Sequence, residues 1–213
     1  MATSLDKSHR MDFNDLALLA KDIDLTGDLS VADDVIIVGD LAVTGTISNA
    51  SAVMTPAAGI TTDAEAYGSS VTRAGDLITT TIVIDLTDLV GSTTDLDIIG
   101  KSAVASHIGQ VTTALNGVIK AGKVTCLELP TGGADDLDFY SATVATGAEN
   151  VDVTTLTETV LITSGAAWAT GTAKGMTTIP PPNDYIYIVN GEAGTAGTFT
   201  AGKFVIELYG QAA

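Results

Sequence analysis

Leu77-Ile78-Thr79-Thr80-Thr81-Ile82-Val83-Ile84-Asp85-Leu86 sorts its residues onto two faces with a period of two. Ile78, Thr80, Ile82, Ile84 and Leu86 fall on one side, and Leu77, Thr79, Thr81, Val83 and Asp85 on the other. β-branched side chains run throughout, and one face is richer in isoleucine, so the stretch reads as a half-buried β-strand. The same signal recurs downstream. Residues 185–189 (Tyr-Ile-Tyr-Ile-Val) form a strong strand ended by Asn190-Gly191, and residues 202–210 form a closing strand. Residues 108–113 and 117–129 read as neighbouring strands around a tight turn at Leu115-Asn116-Gly117. Residues 139–146 and 156–163 carry weaker strand patterns. Pro180-Pro181-Pro182 has no amide donors for a ladder and marks a loop before the penultimate strand. Turn signals at intervals of about ten residues, without a helical period, predict an all-β fold: an antiparallel β-sandwich or jelly roll over residues 73–213.

Upstream the pattern changes. Residues 1–10 read as a flexible arm. In residues 11–21, Phe13, Leu16 and Leu19 recur at helical spacing behind the capping residue Asp12, which predicts one short amphipathic helix. Such a helix is too short to stand alone and needs a partner surface, in its own domain or in another chain. Gly27-Asp28-Leu29-Ser30-Val31 then returns as Gly39-Asp40-Leu41-Ala42-Val43, followed by Thr44-Gly45-Thr46-Ile47. Each unit is too short to bury its own apolar side chains and becomes stable by stacking on copies. Val35-Ile36-Ile37-Val38 fits a strand buried on both faces. This segment reads either as a β-stem interlaced by three chains or as a plain hairpin in a sandwich. Residues 51–72 are small, polar and irregular, with Thr55-Pro56-Ala57-Ala58-Gly59 resembling a linker. The expected organisation is therefore 1–50 (arm, helix and stem), 51–72 (linker) and 73–213 (sandwich). The docking and trimerisation residues expected from it are Phe13, Leu16, Leu19, Val35, Ile36, Ile37, Leu41 and Val43.

Composition bounds the partners. Of the 213 residues, 46% are apolar, enough for a real core, while only 16% are charged. The surface is then covered largely by Thr, Ser, Gly, Asn and Ala, as on proteins that pack against neighbours. Nine basic residues against twenty-six acidic ones give a net charge of −17. The basic residues are too few and scattered for direct binding to nucleic acid. The Asp residues cluster at turns, where they read as solvated residues that keep the protein soluble. The single thiol, Cys126, lies in an apolar strand and reads as a small buried hydrophobe. Residues 1–10 lack the apolar region of a secretory signal, and no stretch is apolar enough to span a bilayer, so assembly in a cytoplasm is expected without membrane contact.

Catalysis needs poised polar groups, and the inventory is sparse. His9 lies in the arm; His107 opens a strand and reads as a structural hydrogen-bonding residue. No nucleophile elbow occurs, and Gly171-Thr172-Ala173-Lys174-Gly175 lacks the ending of a phosphate loop. Zinc-type sites need several Cys and His residues that this chain lacks. The best oxygen cluster is Gly132-Gly133-Ala134-Asp135-Asp136-Leu137-Asp138, whose spacing departs from the twelve-residue calcium loop and favours a solvated turn. Asp33-Asp34 and Asp95-Leu96-Asp97 are weaker. Trp168 reads as a core or interface anchor, with exposed sugar stacking as the alternative. No cofactor and no metal are expected, and the chain reads as a non-enzyme.

Four stretches carry a resemblance: Arg73-Ala74-Gly75-Asp76-Leu77-Ile78-Thr79-Thr80, Ala105-Ser106-His107-Ile108-Gly109-Gln110, Val124-Thr125-Cys126-Leu127-Glu128 and Ala201-Gly202-Lys203-Phe204-Val205-Ile206-Glu207-Leu208. Through them residues 72–210 resemble virion structural proteins of tailed bacteriophages, especially those of aquatic viruses. Residues 25–47 separately resemble the stem repeats of trimeric phage fibres. The resemblance implies a role on the capsid surface or in a fibre, and no catalytic residues. The expected function is a trimeric decoration or cement protein that sits outside the head, bound to its own copies and to the major capsid protein. A fibre or adhesin binding host glycans through loops near Trp168 or Asp135 is the alternative. A major capsid protein fits less well, since that shell fold carries a long helix and more charge. A jelly-roll hydrolase would need carboxylates or histidines clustered in a cleft.

Overall fold

A computed structural model of the chain describes residues 53–60, 67–101 and 103–212. The arm, the short helix, the repeat stem and all eight expected docking residues, Phe13, Leu16, Leu19, Val35, Ile36, Ile37, Leu41 and Val43, lie outside the described residues, as do His9 and Asp33-Asp34.

The elements run β1 (Tyr67–Ala74), β2 (Leu77–Asp85), β3 (Val90–Gly91), β4 (Gly109–Gln110), a single helical turn α1 (Thr113–Asn116), β5 (Val118–Thr131), β6 (Leu137–Ala142), a 3-10 turn (Val153–Leu156), β7 (Glu158–Ile162), β8 (Ala173–Gly175), β9 (Tyr185–Asn190), β10 (Gly197–Thr198) and β11 (Ala201–Gln211). They build a five-stranded sheet, β1-β2-β11-β5-β8, a four-stranded sheet, β4-β9-β6-β7, and a small ribbon, β10-β3. Every pairing is antiparallel. The all-β sandwich expected from the alternation is what forms.

The core lies between the two sheets. Ile82 and Ile84 of β2, Phe204, Ile206 and Leu208 of β11, and Val124 and Cys126 of β5 meet Phe139, Leu161, Ile186 and Ile188 from the opposite sheet. The alternation in β2 is realised as read: Ile78, Thr80, Ile82 and Ile84 are buried, and Thr79, Thr81, Val83 and Asp85 are half-exposed. A second apolar cluster, Ile98, Tyr140, Ala142, Val153, Tyr187 and Val189, covers the far face of the four-stranded sheet. β6 is consequently buried at all six positions.

The described parts of the expected linker, residues 53–60 and 67–72, depart from that expectation. Met54 and Ile60 are core residues, and Tyr67–Ala74 pairs with β2 along its full length. Met54 N donates to Ser69 Oγ at 2.9 Å, Tyr67 Oη donates to Ile108 O at 2.7 Å, and Ala57 N donates to His107 O at 2.8 Å. This segment therefore closes the open side of the sandwich between β1 and β4. The physical reason is the free edge of β2, whose unpaired amides and carbonyls recruit a strand of weak intrinsic pattern. The strand expected at 108–113 is also shorter. Gly109–Gln110 pairs with β9 and Ile108 N donates to Ile186 O at 2.7 Å, before Thr112 turns the chain into α1 by accepting from Leu115 N at 3.2 Å.

Candidate functional site

Two regions gather the side chains that sequence reading singled out. The first is the Asp-rich loop before β6. Trp168 is buried in the core, its Nε1 donating to Leu137 O at 2.8 Å and its backbone N to Asp135 O at 2.9 Å. Its ring stands edge-on to Phe139 and Phe204, with centroids 6.1 and 5.3 Å away. The anchor reading of Trp168 holds; a ring enclosed in this way offers no platform for a sugar. Lys174 Nζ lies 4.6 Å from the centre of that ring and donates to Ser164 O at 2.9 Å and Ser164 Oγ at 2.6 Å. Ser164 N in turn donates to Asp138 Oδ1 at 2.5 Å. Asp138, Ser164, Lys174 and Trp168 thus form one chain of contacts that pins the loop between β7 and β8 across the end of β6.

The carboxylates of this loop have separate duties. Asp138 is buried, and its pKa is pushed up to about 6 by burial first, with the nearby charges of Asp136 and Asp95 adding and the Ser164 amide opposing. Asp136 is also buried, with Oδ1 unpartnered and its backbone O accepting from Gly191 N at 2.9 Å. Among the described residues no three His, Cys, Asp or Glu side chains converge as a metal-binding set. Asp97 accepts from Ser92 Oγ at 2.5 Å in a neighbouring loop.

The raised pKa of Asp138 yields a signed expectation. The folded state binds this proton more tightly than the unfolded chain, so the stability penalty is present in full above pH 6 and fades as pH falls toward 4. Asp138→Asn removes the penalty and keeps an acceptor for Ser164 N. It should raise stability by about 1–2 kcal/mol at pH 7.5, once solvent screening is allowed for, and by nearly nothing at pH 4. Urea denaturation at the two pH values checks this; a loss of stability at pH 7.5 would refute it.

His107 sits between strands against Tyr185 and Tyr187, with ring centroids 4.7 and 6.3 Å away. Its buried Nδ1 has no hydrogen-bond partner, and burial lowers its pKa. The structural hydrogen-bonding role expected for His107 is not filled at Nδ1, where the ring instead packs against the two tyrosines. Cys126 is buried in the core as expected.

The second region is the outer face of the five-stranded sheet. Its centre is a row across the strands, Val83 on β2, Val205 on β11 and Thr125 on β5. On one side of that row lie Thr81, Glu207 and Lys123; on the other lie Asp85, Lys203 and Glu128. Lys123 Nζ meets Glu207 at 2.8 Å, and Lys203 Nζ meets Asp85 at 3.1 Å. The first pair raises the Lys123 pKa and lowers that of Glu207. At the end of the sheet Leu77 and Val118 flank Gln211 and are 66% and 38% exposed. In a chain of net charge −17, this face balances three acids with two partnered lysines and Lys120 at its rim. Sequence reading missed it because the balance depends on strand register, which no local pattern encodes.

Comparison with protein-family models, with curated proteins and with solved structures returned no match. The functional reading therefore rests on the residues themselves.

Proposed function

We infer that this chain is a structural subunit of a tailed-phage particle, a trimeric decoration or cement protein on the outside of the head. The observation that carries the reading is the outer face of the five-stranded sheet: broad, rich in Thr and Val, and free of the acidic excess found elsewhere. Such a face suits contact with protein rather than with a small substrate. The Gly-Asp repeat of residues 27–47 and the phage resemblance of residues 72–210 support the same reading. The work is mechanical. Residues 1–50 knit three chains and dock on the major capsid protein, and the sandwich lies over joints between capsomers. Each copy adds only a few kcal/mol, and many copies acting together resist internal pressure. The burial of Trp168 leaves the adhesin alternative with the loop at Asp135.

Deleting residues 1–50 should abolish binding to particles while the far-UV circular dichroism keeps its β signature. Quantitative mass spectrometry of particles should give copies in the hundreds rather than the handful of a fibre. A truncated protein that still coats particles, or a stoichiometry of a few copies, would overturn the reading.

A further inference from the structure

We propose that the outer face of the five-stranded sheet binds the same face of a second copy, about a two-fold axis running along the Val83–Val205–Thr125 row. This rests on the reading of the chain as an assembly subunit and adds the contact by which neighbouring units join.

The argument is charge and area. A two-fold axis along that row turns the partner's β11 antiparallel and exchanges the rows on either side. Glu207 then faces Lys203 of the second copy, and Lys123 faces Glu128, while Val83, Val205 and Thr125 each meet their own equivalents. An axis along β11 instead would set Glu207 against Glu207. The pattern is therefore self-complementary in one sense of rotation only, as an isologous contact requires. The solvent-facing acids Asp95, Asp135, Asp152 and Glu158 belong to the other sheet and its loops, so a contact through those surfaces would repel. Strands of 8, 9, 11, 14 and 3 residues (β1, β2, β11, β5 and β8), rising about 3.4 Å per residue and spaced by about 4.8 Å, offer about 700 Å². That approaches the roughly 800 Å² per partner of a standard-size interface. Side chains of the two faces meet as in a sheet-on-sheet packing.

The test uses the full chain in sedimentation velocity over a range of concentrations. The basal species, three chains on the reading above, should double reversibly as concentration rises. Val205→Lys and Val205→Glu each place a charge beside its own copy at the axis and should weaken doubling at least about tenfold. An equimolar mixture of the two variants should restore it to within about threefold of wild type, because only a face that meets itself brings opposite charges together. Thr81 lies over Asp85 of the second copy, so Thr81→Lys should strengthen doubling and Thr81→Glu weaken it, which keeps the test intact if a Val205 variant misfolds. Doubling insensitive to all four variants, or no rescue on mixing, overturns the proposal. So do cross-links from this face to residues 1–50 of the same chain or to a shell protein. A basal species other than three chains counts against the trimer alone; a basal trimer that never doubles counts against this contact alone.

Discussion

Trp168→Ala should destabilise the sandwich by about 3–5 kcal/mol. The ring is buried, packs edge-on against Phe139 and Phe204, and supplies the donor to Leu137 O. Alanine leaves a large cavity between the sheets and an unpartnered carbonyl at the start of β6. It also removes the surface on which Lys174 rests, so the loop between β7 and β8 loses its clamp. A domain of this size is stable by only about 5–15 kcal/mol, so the loss is a large share of the whole. Guanidinium denaturation followed by far-UV circular dichroism measures it, since this is the chain's one tryptophan and fluorescence is lost with it. Trp168→Phe should recover part of the packing and still lack the bond to Leu137 O, falling between wild type and alanine. A change within about 0.5 kcal/mol for alanine would mean that the ring is a surface feature, and the sugar-stacking alternative would return.

What could be read in advance follows the range of the forces involved. β2, β9 and β11 were legible because each buries one or both faces with β-branched and aromatic residues, and that pattern is local. β6 was harder. Leu137-Asp138-Phe139-Tyr140-Ser141-Ala142 shows no clean alternation because one side faces the main core and the other the Ile98–Tyr187 cluster. β1 was illegible: Tyr67-Gly68-Ser69-Ser70-Val71-Thr72 is small and polar, and becomes a strand only because β2 offers it a partner. Likewise the clamp joins Asp138 to Ser164, 26 positions on, and Ser164 to Lys174, 10 positions further, which no spacing rule connects. The central-row symmetry of the outer face is a property of register, fixed only when β2, β11 and β5 lie side by side.

Gly210→Ala should cost about 3 kcal/mol or more, at the upper end of overpacking effects. Gly210 lies near the end of β11, beside Ile78 on one strand and Ile119 on the other, at an irregularity of the ladder. A Cβ there would meet Asn116 O at 1.9 Å, a backbone atom that no rotamer change can move. Nor is α1 free to retreat. Asn116 is fully buried, its Oδ1 accepts from Thr112 N at 2.8 Å, and its Nδ2 donates to Thr80 Oγ1 at 2.8 Å. Gly117 follows at φ 69, where a side chain would strike Gln211 O at 2.4 Å. Relieving the clash therefore means either pulling β11 from β5 or breaking the buried Asn116–Thr80 bond, and an unpaired buried amide costs about 1–3 kcal/mol by itself. Gly68→Ala is the control. It lies on the same sheet with nothing within 4 Å of the added carbon, and should change stability by no more than about 0.5 kcal/mol. Hydrogen exchange locates the damage: the amides of Asn116 and Gly117, bonded to Thr112 O and Thr113 O, should lose protection before those in the middle of β11. Equal stability for the two alanine variants would mean that α1 does not press on the sheet as described.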